Sequence, residues 1–277
     1  MIRTSAITSL DNSRLRAACR LKRRKHREET GRFLVEGTRA VEGALRAGAS
    51  VRAIFVSDSF LAGPRARGLG PTIEASGAKV YRVPDSVLKK VADTSSPQGI
   101  VAVVQAKPLG LCDLAFDERA LLLLCDRIQD PGNLGTMVRV ADAARADAVL
   151  LGAGCTDLHS PKTVRATMGS LFHLPVVRGA HTAELVGWVR SQGVRVVGTS
   201  PRASLPHYAI DARGALCWVV GNEAHGLSND VLEACDEVVG IPIPGRAESL
   251  NVAVTAAILM FETIRQRMTP PTGAPGK

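Results

Sequence analysis

The chain has 277 residues, of which 45% are hydrophobic, and this length is enough for two ordinary domains with buried cores. Its formal net charge of +9 favours an anionic partner, while an aromatic content of only 4% argues against nucleic-acid binding that rests mainly on base stacking. No apolar run approaches the roughly 18 residues that cross a bilayer, and the N-terminus lacks a signal-peptide core, so we expect a cytoplasmic protein.

The positive charge is concentrated in the first part of the chain. Residues 1–105 contain 19 Lys or Arg against 9 Asp or Glu, whereas the remainder contains 16 against 17. This asymmetry predicts a basic domain that holds a polyanion, followed by a neutral domain with another role. The alternative is that the excess charge only increases solubility.

The first predicted element is a helix from Ser13 to Arg27 with a sparse apolar stripe at Leu15, Ala18 and Leu21. Its cations are Arg14, Arg16, Arg20, Lys22, Arg23, Arg24, Lys25 and Arg27. Cations at this density repel one another unless an anion is near, so we expect these eight side chains to contact RNA phosphates. The alternative is a solvated charged face.

Strands and helices then alternate to about residue 106, which predicts a compact α/β domain over residues 1–106. The strand-like runs are 31–37, 51–56, 79–83 and 99–105, and the helical ones are 38–47, a segment near 59, and 85–92. Pro108, Gly110 and mixed polarity without periodicity place a linker at 107–119.

A second domain starts with an apolar strand, Leu121–Cys125, which leads directly into AspProGlyAsnLeuGly at 130–135. Gly132 and Gly135 permit a tight turn at the start of a helix that continues to about residue 146. Arg139 lies one turn into that helix, where its side chain can face back towards the strand ends. The alternative for Arg139 is an ordinary surface arginine.

Further strands are predicted at 148–152, 194–199 and 217–220, with helices at 161–171 and across Trp188. The last part of the chain reads as strand, loop, helix, strand, loop and helix. Its two loops contain GlyAsnGluAlaHisGly and IleProIleProGlyArgAlaGluSerLeuAsn, and they leave neighbouring strand ends together. Ligands bind at this edge of an open α/β sheet, and Pro242 and Pro244 make the second loop rigid with free carbonyl groups.

Several other chemistries are poorly supported. No G-x-G-x-x-G follows a predicted strand and no Walker sequence is present, which disfavours a Rossmann-type methyltransferase, a dehydrogenase or an NTPase. The six cysteines have no metal-ligand spacing and are interpreted as reduced core residues, so we expect no metal site. Lone histidines, including His225, are expected to be structural.

The motifs AspProGlyAsnLeuGlyThrMetValArg, GlyAsnGlu, IleProIlePro and SerLeuAsn resemble those of the SpoU (TrmH-like) branch of the SPOUT RNA methyltransferases. The resemblance implies methyl transfer from S-adenosylmethionine to a ribose 2′-hydroxyl. It also implies an α/β SPOUT domain at 120–268 with a mostly parallel sheet and a deep C-terminal trefoil knot. The first domain resembles the ribosomal-protein-L30e-like substrate-binding domain of the rRNA-directed members, most closely at Phe33–Gly37.

The resemblance also implies roles for individual residues. Its catalytic positions are Arg139, Asn133, Glu223, Ser249 and Asn251, and its cofactor-binding positions are Thr199, Gly221, Asn222, Ile241, Ile243, Ser249 and Leu250. The family assigns the arginine to activating the hydroxyl, but an arginine is a poor base, so orienting the 2′-hydroxyl and the adjacent phosphate is the alternative role. Ser249 could equally be a helix N-cap.

Family members are dimers, and the final helix, Ser249 to Arg267, is apolar on more than one face, so we expect a homodimer through the SPOUT domain. The substrate is expected to be structured RNA, most simply 23S ribosomal RNA, because the tRNA-specific relatives lack the extra first domain. The alternatives are tRNA, base methylation, and a non-catalytic RNA-binding or ribosome-assembly factor. Residues 269–277 are expected to be disordered.

Overall fold

The computed structural model describes residues 2–9 and 11–269, which divide into two compact units. Unit 1 consists of Met1–Pro108 and Asp157–His173, and unit 2 consists of Leu109–Thr156 and Leu174–Lys277. The division differs from the predicted domains at 157–173, which sequence reasoning assigned to the second domain. The predicted disordered tail lies outside the described residues from position 270 onward.

Unit 1 is a five-stranded sheet with helices on both faces. Its strands are β1 (Ser5–Ala6), β2 (Arg32–Glu36), β3 (Val51–Ser57), β4 (Lys79–Val83) and β5 (Ile100–Gln105). Its helices are α1 (Ser13–Arg20), α2 (Arg24–Thr30), α3 (Thr38–Arg46), α4 (Asp58–Ala62), α5 (Pro64–Ala75), α6 (Asp85–Val91) and, from the later segment, α8 (Pro161–Ala166). The strand order is β1-β4-β3-β5-β2, with β5 antiparallel to both β2 and β3.

Each face of this sheet has its own apolar core. On one face α1 and α6 bury Leu15, Ala18 and Leu88 among others, and on the other α3 and α5 bury Val41 and Ile73. Side chains at alternate strand positions point to opposite faces, which is why both cores draw on the same strands.

The segment 157–173 belongs to unit 1 because it packs into that second core. Val164 of α8 is buried there, and Phe172 packs against it. The rings of Phe33 and His159 stack with their centroids 4.5 Å apart. The predicted helix 161–171 ends earlier than expected, because Met168 and Gly169 both have positive φ angles, and a short 3-10 turn follows at Ser170–Phe172.

The predicted helix Ser13–Arg27 is two helices. α1 ends at Arg20 and α2 begins at Arg24, with Leu21 buried in the turn between them. The break follows from the packing of Leu21 and from Arg27, whose guanidinium donates to the carbonyl oxygens of Leu21 and Lys22 at 2.7 and 2.8 Å.

Unit 2 is a six-stranded sheet in which every pair of neighbours is parallel. Its strands are β6 (Leu121–Cys125), β7 (Ala148–Leu151), β8 (Val176–Arg178), β9 (Arg195–Thr199), β10 (Leu216–Val220) and β11 (Glu237–Val239). Its helices are α7 (Pro131–Ala143), α9 (Thr182–Ser191), α10 (Asn229–Ala234) and α11 (Val252–Met268). The order is β11-β9-β10-β6-β7-β8, which confirms the α/β class with a mostly parallel sheet. The trefoil knot stays a prediction.

The two central strands of the unit 2 sheet are fully buried. All five residues of β6 and all five of β10 are buried, as continuous apolar runs predict for parallel strands covered on both faces. α11 packs against α7 and β10, and the indole nitrogen of Trp218 donates to the hydroxyl of Thr263 at 2.9 Å. Among residues 2–9 and 11–269, no helix is long and apolar enough to cross a membrane.

Candidate functional site

The candidate site is at the edge of the unit 2 sheet where the parallel strands end. Because the six strands share one direction, the loops after β6, β9, β10 and β11 leave the sheet along the same edge. Most of the residues predicted for catalysis and cofactor binding belong to these loops or to the first turns of the helices that follow them, while Thr199 ends β9 and Arg139 lies two turns into α7. The sequence motifs are therefore neighbours in space.

Glu223, in the loop after β10, joins that loop to the start of α7. One carboxylate oxygen accepts from the side-chain amide of Asn133 and from the backbone N–H of Asp130, and the other accepts from the N–H of Gln129, all at 3.1 Å. Partial burial acts to raise the pKa of Glu223, but these hydrogen bonds outweigh it and hold the pKa below its ordinary value. Glu223 is therefore an ionised acceptor that positions the loop before α7.

Asn133 also joins the start of α7 to the start of α11. Its side-chain carbonyl accepts from Nδ2 of Asn251 at 3.0 Å, and its backbone N–H donates to the carboxylate of Asp130, the N-cap of α7, at 2.9 Å. The motifs that contain Asn133, Glu223 and Asn251 thus each contribute one amide or carboxylate to a single chain of hydrogen bonds. We call Glu223, Asn133 and Asn251 the motif triad.

The structure corrects the prediction for the start of the last helix. Asn251 is the N-cap of α11, and its side-chain oxygen accepts from the N–H groups of Ala253 and Val254 at 2.9 and 3.3 Å. Ser249, expected as the possible cap and as the first residue of this helix, precedes the helix and is exposed. The same side chain therefore caps α11 with its oxygen and bonds to Asn133 with its amide nitrogen.

Arg139 lies two turns after the start of α7, on its exposed side. Within the described residues its guanidinium forms no hydrogen bond or ion pair, in contrast to the neighbouring motif triad. An arginine in this state presents a full set of donors to an incoming group. Its catalytic role stays a prediction.

The loop after β10 closes on itself through Asn222. The side-chain oxygen of Asn222 accepts from the N–H groups of Ala224 and His225, and its Nδ2 donates to the carbonyl of Arg127 at 2.9 Å. A Cβ at Gly221 would lie 2.3 Å from the carbonyl carbon of Gly226, so only glycine permits this fold. His225 is exposed at the turn, and Asn222 is a positioning residue in this geometry.

A cleft of about 490 Å³ lies beside the loop after β11. Of the predicted cofactor positions, Ile241 and Ile243 line it, while Thr199, Gly221, Asn222, Ser249 and Leu250 do not. Thr199 instead donates its hydroxyl to the carbonyl of Val219 at 2.9 Å, across neighbouring strand ends.

The segment after β9 supplies part of this cleft and was not identified from the sequence, whereas Gly240, Pro242, Ala247 and Glu248 belong to the loop after β11. The further lining residues are Pro201, Ala203, Ser204, Pro206, Tyr208, Gly240, Pro242, Ala247 and Glu248. A Cβ at Gly240 would lie 2.9 Å from the carbonyl oxygen of Ala203, so the two loops touch there. The sequence signals that could have identified it were Pro201 and Pro206 after β9 and Gly240 directly after β11. This Gly- and Pro-rich concavity fits a small ligand held by main-chain groups.

In unit 1 the eight cations predicted to bind RNA differ in their exposure. Arg14, Arg16, Arg20, Arg23, Arg24 and Lys25 are exposed and Lys22 is half-buried, but Arg27 is 7% exposed. The guanidinium of Arg27 donates to Asp157 at 2.6 and 3.0 Å. The guanidinium of Arg27 is therefore engaged inside unit 1, and the RNA contact predicted for it stays a prediction.

The cysteines and possible metal ligands add no chemistry to this edge. Burial raises the pKa of the Cys125, Cys155 and Cys217 thiols, in agreement with reduced core residues, whereas Cys112 is exposed and the core prediction is wrong for it. In the part of the chain that the structure describes, no three or more His, Cys, Asp or Glu side chains are grouped to hold a metal ion.

Comparisons with known proteins agree with this geometry. Residues 120–261 match the model of the SpoU rRNA Methylase family, and residues 12–102 match the MRM3-like substrate binding domain. The chain is 37% identical to the 23S rRNA (guanosine(2553)-2′-O)-methyltransferase RlmP of Bacillus subtilis (strain 168), over 92% of this chain and 97% of that protein.

Two further similarities cover almost the same length. The 23S rRNA (uridine(2479)-2′-O)-methyltransferase of Streptomyces viridochromogenes is 33% identical over 89% of this chain and 87% of its own. The crystal structure of an AdoMet-bound rRNA methyltransferase from Sinorhizobium meliloti superposes with a TM-score of 0.86 at 33% identity, over 96% of this chain and 99% of that one.

Proposed function

The chain belongs to the SpoU rRNA Methylase family and is an RNA 2′-O-ribose methyltransferase that uses S-adenosylmethionine, and we propose that its substrate is 23S ribosomal RNA in the cytoplasm. The observation that supports this proposal most is the motif triad, which joins Glu223 of the loop after β10, Asn133 of the first turn of α7 and Asn251 at the start of α11. The two curated relatives named above both act on 23S rRNA, and the similarity to each extends over both units.

The motif triad would act by positioning. Glu223 and Asn251 hold the Asn133 side chain through its two ends, and Asn133 lies in the first turn of the helix that carries Arg139. A fixed helix start gives Arg139 a defined direction, which matters because a reacting group misplaced by about 1 Å can cost about 100-fold in rate.

Arg139 would bind the ribose hydroxyl and its neighbouring phosphate. A guanidinium keeps its proton at ordinary pH, so its contribution is orientation and stabilisation of the negative charge that develops on the attacking oxygen. Ser249, exposed beside the start of α11, is a further polar group that we assign to the nucleotide.

S-adenosylmethionine supplies the methyl group as an activated sulfonium. In this chain we assign its site to the cleft between the segment after β9 and the loop after β11, with Ile241 and Ile243 as apolar walls. Gly221 and Gly240 permit the close packing of the loops beside this cleft, because a Cβ at either position would meet neighbouring backbone. Thr199, Asn222 and Leu250 would hold these loops in place.

We further propose a homodimer through α11. Three of the exposed large apolar side chains among the described residues, Val254, Phe261 and Met268, recur every seven positions on this helix and so share one face. The matching test is sedimentation of wild type and Phe261→Asp: a shift to monomer supports the interface, and an unchanged dimer would place it elsewhere.

Labelled methyl transfer tests the proposed function. Wild-type protein and labelled S-adenosylmethionine are incubated separately with ribosomal RNA and with tRNA from a strain that lacks the protein, and the RNA is digested to nucleosides for mass analysis. We expect one 2′-O-methylated nucleoside from the 23S rRNA. Label in tRNA alone, or on a base, would contradict the proposal.

A further inference from the structure

The cations of α1, α2, α6 and the turn between α1 and α2 differ in whether they already have partners within the protein. Lys22 donates its ammonium to the carbonyl of Ala92 at the end of α6, and Arg27 donates to the carbonyls of Leu21 and Lys22 after the end of α1. These two cations therefore satisfy the orphan carbonyls that helix ends leave. These hydrogen bonds account for Lys22 and Arg27 without an RNA contact.

Three other cations have partners on the surface. Arg24 pairs with Glu28 at 2.7 Å and Lys25 with Glu29 at 3.9 Å, both one turn apart on α2. The guanidinium of Arg14 lies over the ring of Tyr81, 5.5 Å from its centroid. The net charge that α2 presents to solvent is consequently small.

Of the cations on α1, α2, α6 and the turn between α1 and α2, five remain. Arg16, Arg20 and Arg23 are exposed, and within residues 2–9 and 11–269 none of them forms an ion pair. Lys89 and Lys90, in the last turn of α6, are also exposed and without ion pairs in the same part of the chain.

These two groups of cations share one surface. α1 and α6 cover the same face of the unit 1 sheet, and the thiol of Cys19 lies 3.5 Å from the carbonyl oxygen of Lys90. The ammonium of Lys22 on the carbonyl of Ala92 joins the turn after α1 to the end of α6. We call Arg16, Arg20, Arg23, Lys89 and Lys90 the α1–α6 surface.

We propose that the α1–α6 surface binds the phosphate backbone of the RNA substrate, and that α2 contributes little to this binding. The inference rests on the proposed function and assigns its RNA contacts to particular residues, two of which the sequence motifs did not indicate. Five cations without ion pairs on neighbouring elements repel one another, and RNA phosphates remove that repulsion while releasing condensed counterions.

A purely structural role is the competing explanation. Cations in a last helical turn interact favourably with the helix dipole, and this effect is small at the surface. Lys22 and Arg27 already occupy the terminal carbonyls, so the α1–α6 surface is expected to add little to the stability of unit 1.

The experiment compares two triple variants of the full chain that remove the same charge. The surface variant is Arg20→Gln, Lys89→Gln and Lys90→Gln. The control is Arg46→Gln, Arg82→Gln and Arg190→Gln, three exposed cations that pair with Glu42, Asp58 and Asp236. Binding to transcribed Bacillus subtilis 23S rRNA is measured at several salt concentrations, together with thermal unfolding and methyl incorporation.

We expect the surface variant to bind the transcript at least about tenfold more weakly, with the slope of log affinity against log salt reduced by about 2, while the control changes by less than about threefold. Equal weakening of both variants, or unchanged affinity with a lower unfolding temperature of the surface variant, would overturn the proposal. Wild type that binds the transcript but methylates neither rRNA nor tRNA would instead overturn the proposed function.

Discussion

Asn251 donates its side-chain amide to the side-chain carbonyl of Asn133 at 3.0 Å, which joins two residues 118 positions apart in the chain. The same Asn251 accepts the first free N–H groups of α11 with its side-chain oxygen. One side chain therefore has a capping role and a positioning role, served by different atoms.

Substitutions at Asn251 separate these two roles. Asn251→Asp keeps the capping oxygen and loses the donor to Asn133, so we expect nearly unchanged stability and a turnover rate reduced by about tenfold or more. Asn251→Ala loses both, and we expect a further cost of about 1 kcal/mol, or about 2–4 °C in unfolding temperature. Calorimetry and steady-state methylation check this, and equal turnover for Asp and wild type would contradict the positioning role.

Glu223 predicts a pH dependence of stability. Because its native pKa is below the unfolded value, ionised Glu223 stabilises the fold above the unfolded pKa of about 4.3, and this contribution is lost as the pH falls through the native pKa. We expect Glu223→Gln to unfold at a lower temperature than wild type at pH 7, and the difference to shrink in acid.

The matched control for Glu223 is Glu233→Gln. Glu233 is exposed on α10 and has no hydrogen bond or ion pair in the portion of the chain that the structure describes. Its substitution should leave the unfolding temperature unchanged at both pH values. An equal effect of the two substitutions would mean that net charge, and not the contact with the start of α7, is responsible.

Substitution of Gly221 tests whether a larger side chain in the loop after β10 weakens cofactor binding. In Gly221→Ala the new Cβ would meet the backbone of Gly226 and Leu227 at 2.3–2.4 Å, so the loop after β10 must move. We expect affinity for S-adenosylmethionine, measured by calorimetry, to fall at least about tenfold. Gly187→Ala is the control: apart from the neighbouring helix backbone nothing lies within 4 Å of that Cβ, in the interior of α9, so affinity should be unchanged and stability slightly higher.

We expect the ion pair between Arg27 and Asp157 to stabilise the packing of the segment 157–173 in unit 1. Burial acts to raise the pKa of Asp157, but the hydrogen bond from Arg27 outweighs it and keeps this pKa below its ordinary value. Asp157→Asn leaves the buried guanidinium without its counter-ion, and we expect a loss of about 3 kcal/mol.

Hydrogen exchange is the appropriate measurement for this pair, because it reports unit 1 separately. Peptides from 15–30 and 157–173 should exchange faster in Asp157→Asn. Glu28→Gln, which breaks only the exposed pair with Arg24, should cost about 0.3–0.5 kcal/mol and leave these rates nearly unchanged. Similar rates in both variants would mean that apolar packing alone holds the segment.

Much of unit 2 could be predicted because its signals are local. The apolar runs at β6 and β10 predict buried parallel strands, and parallel strands end at one edge, so Asn133, Glu223 and Asn251 could be expected to meet. The resemblance to known motifs supplied the chemistry that periodicity does not contain.

The remaining features depend on contacts between distant residues. The turn after α1 contains no Gly or Pro, and it forms because Leu21 is buried and Arg27 reaches back to its carbonyl. Ser249 and Asn251 are both good N-cap residues, and the bond from Asn251 to Asn133, 118 positions earlier, is not visible in the local sequence. The assignment of 157–173 to unit 1 likewise depends on Phe33, more than a hundred residues earlier.

The measurement that tests the central claim most directly is single-turnover methylation by Arg139→Ala with S-adenosylmethionine affinity and unfolding temperature measured in parallel. Because Arg139 is exposed and unpaired within the described residues, we expect an unchanged unfolding temperature and retained cofactor affinity. The methylation rate should fall by about 100- to 1000-fold, with partial recovery in Arg139→Lys. Methylation at the wild-type rate would contradict the assignment of Arg139 to the reacting ribose and with it the site that the motif triad positions.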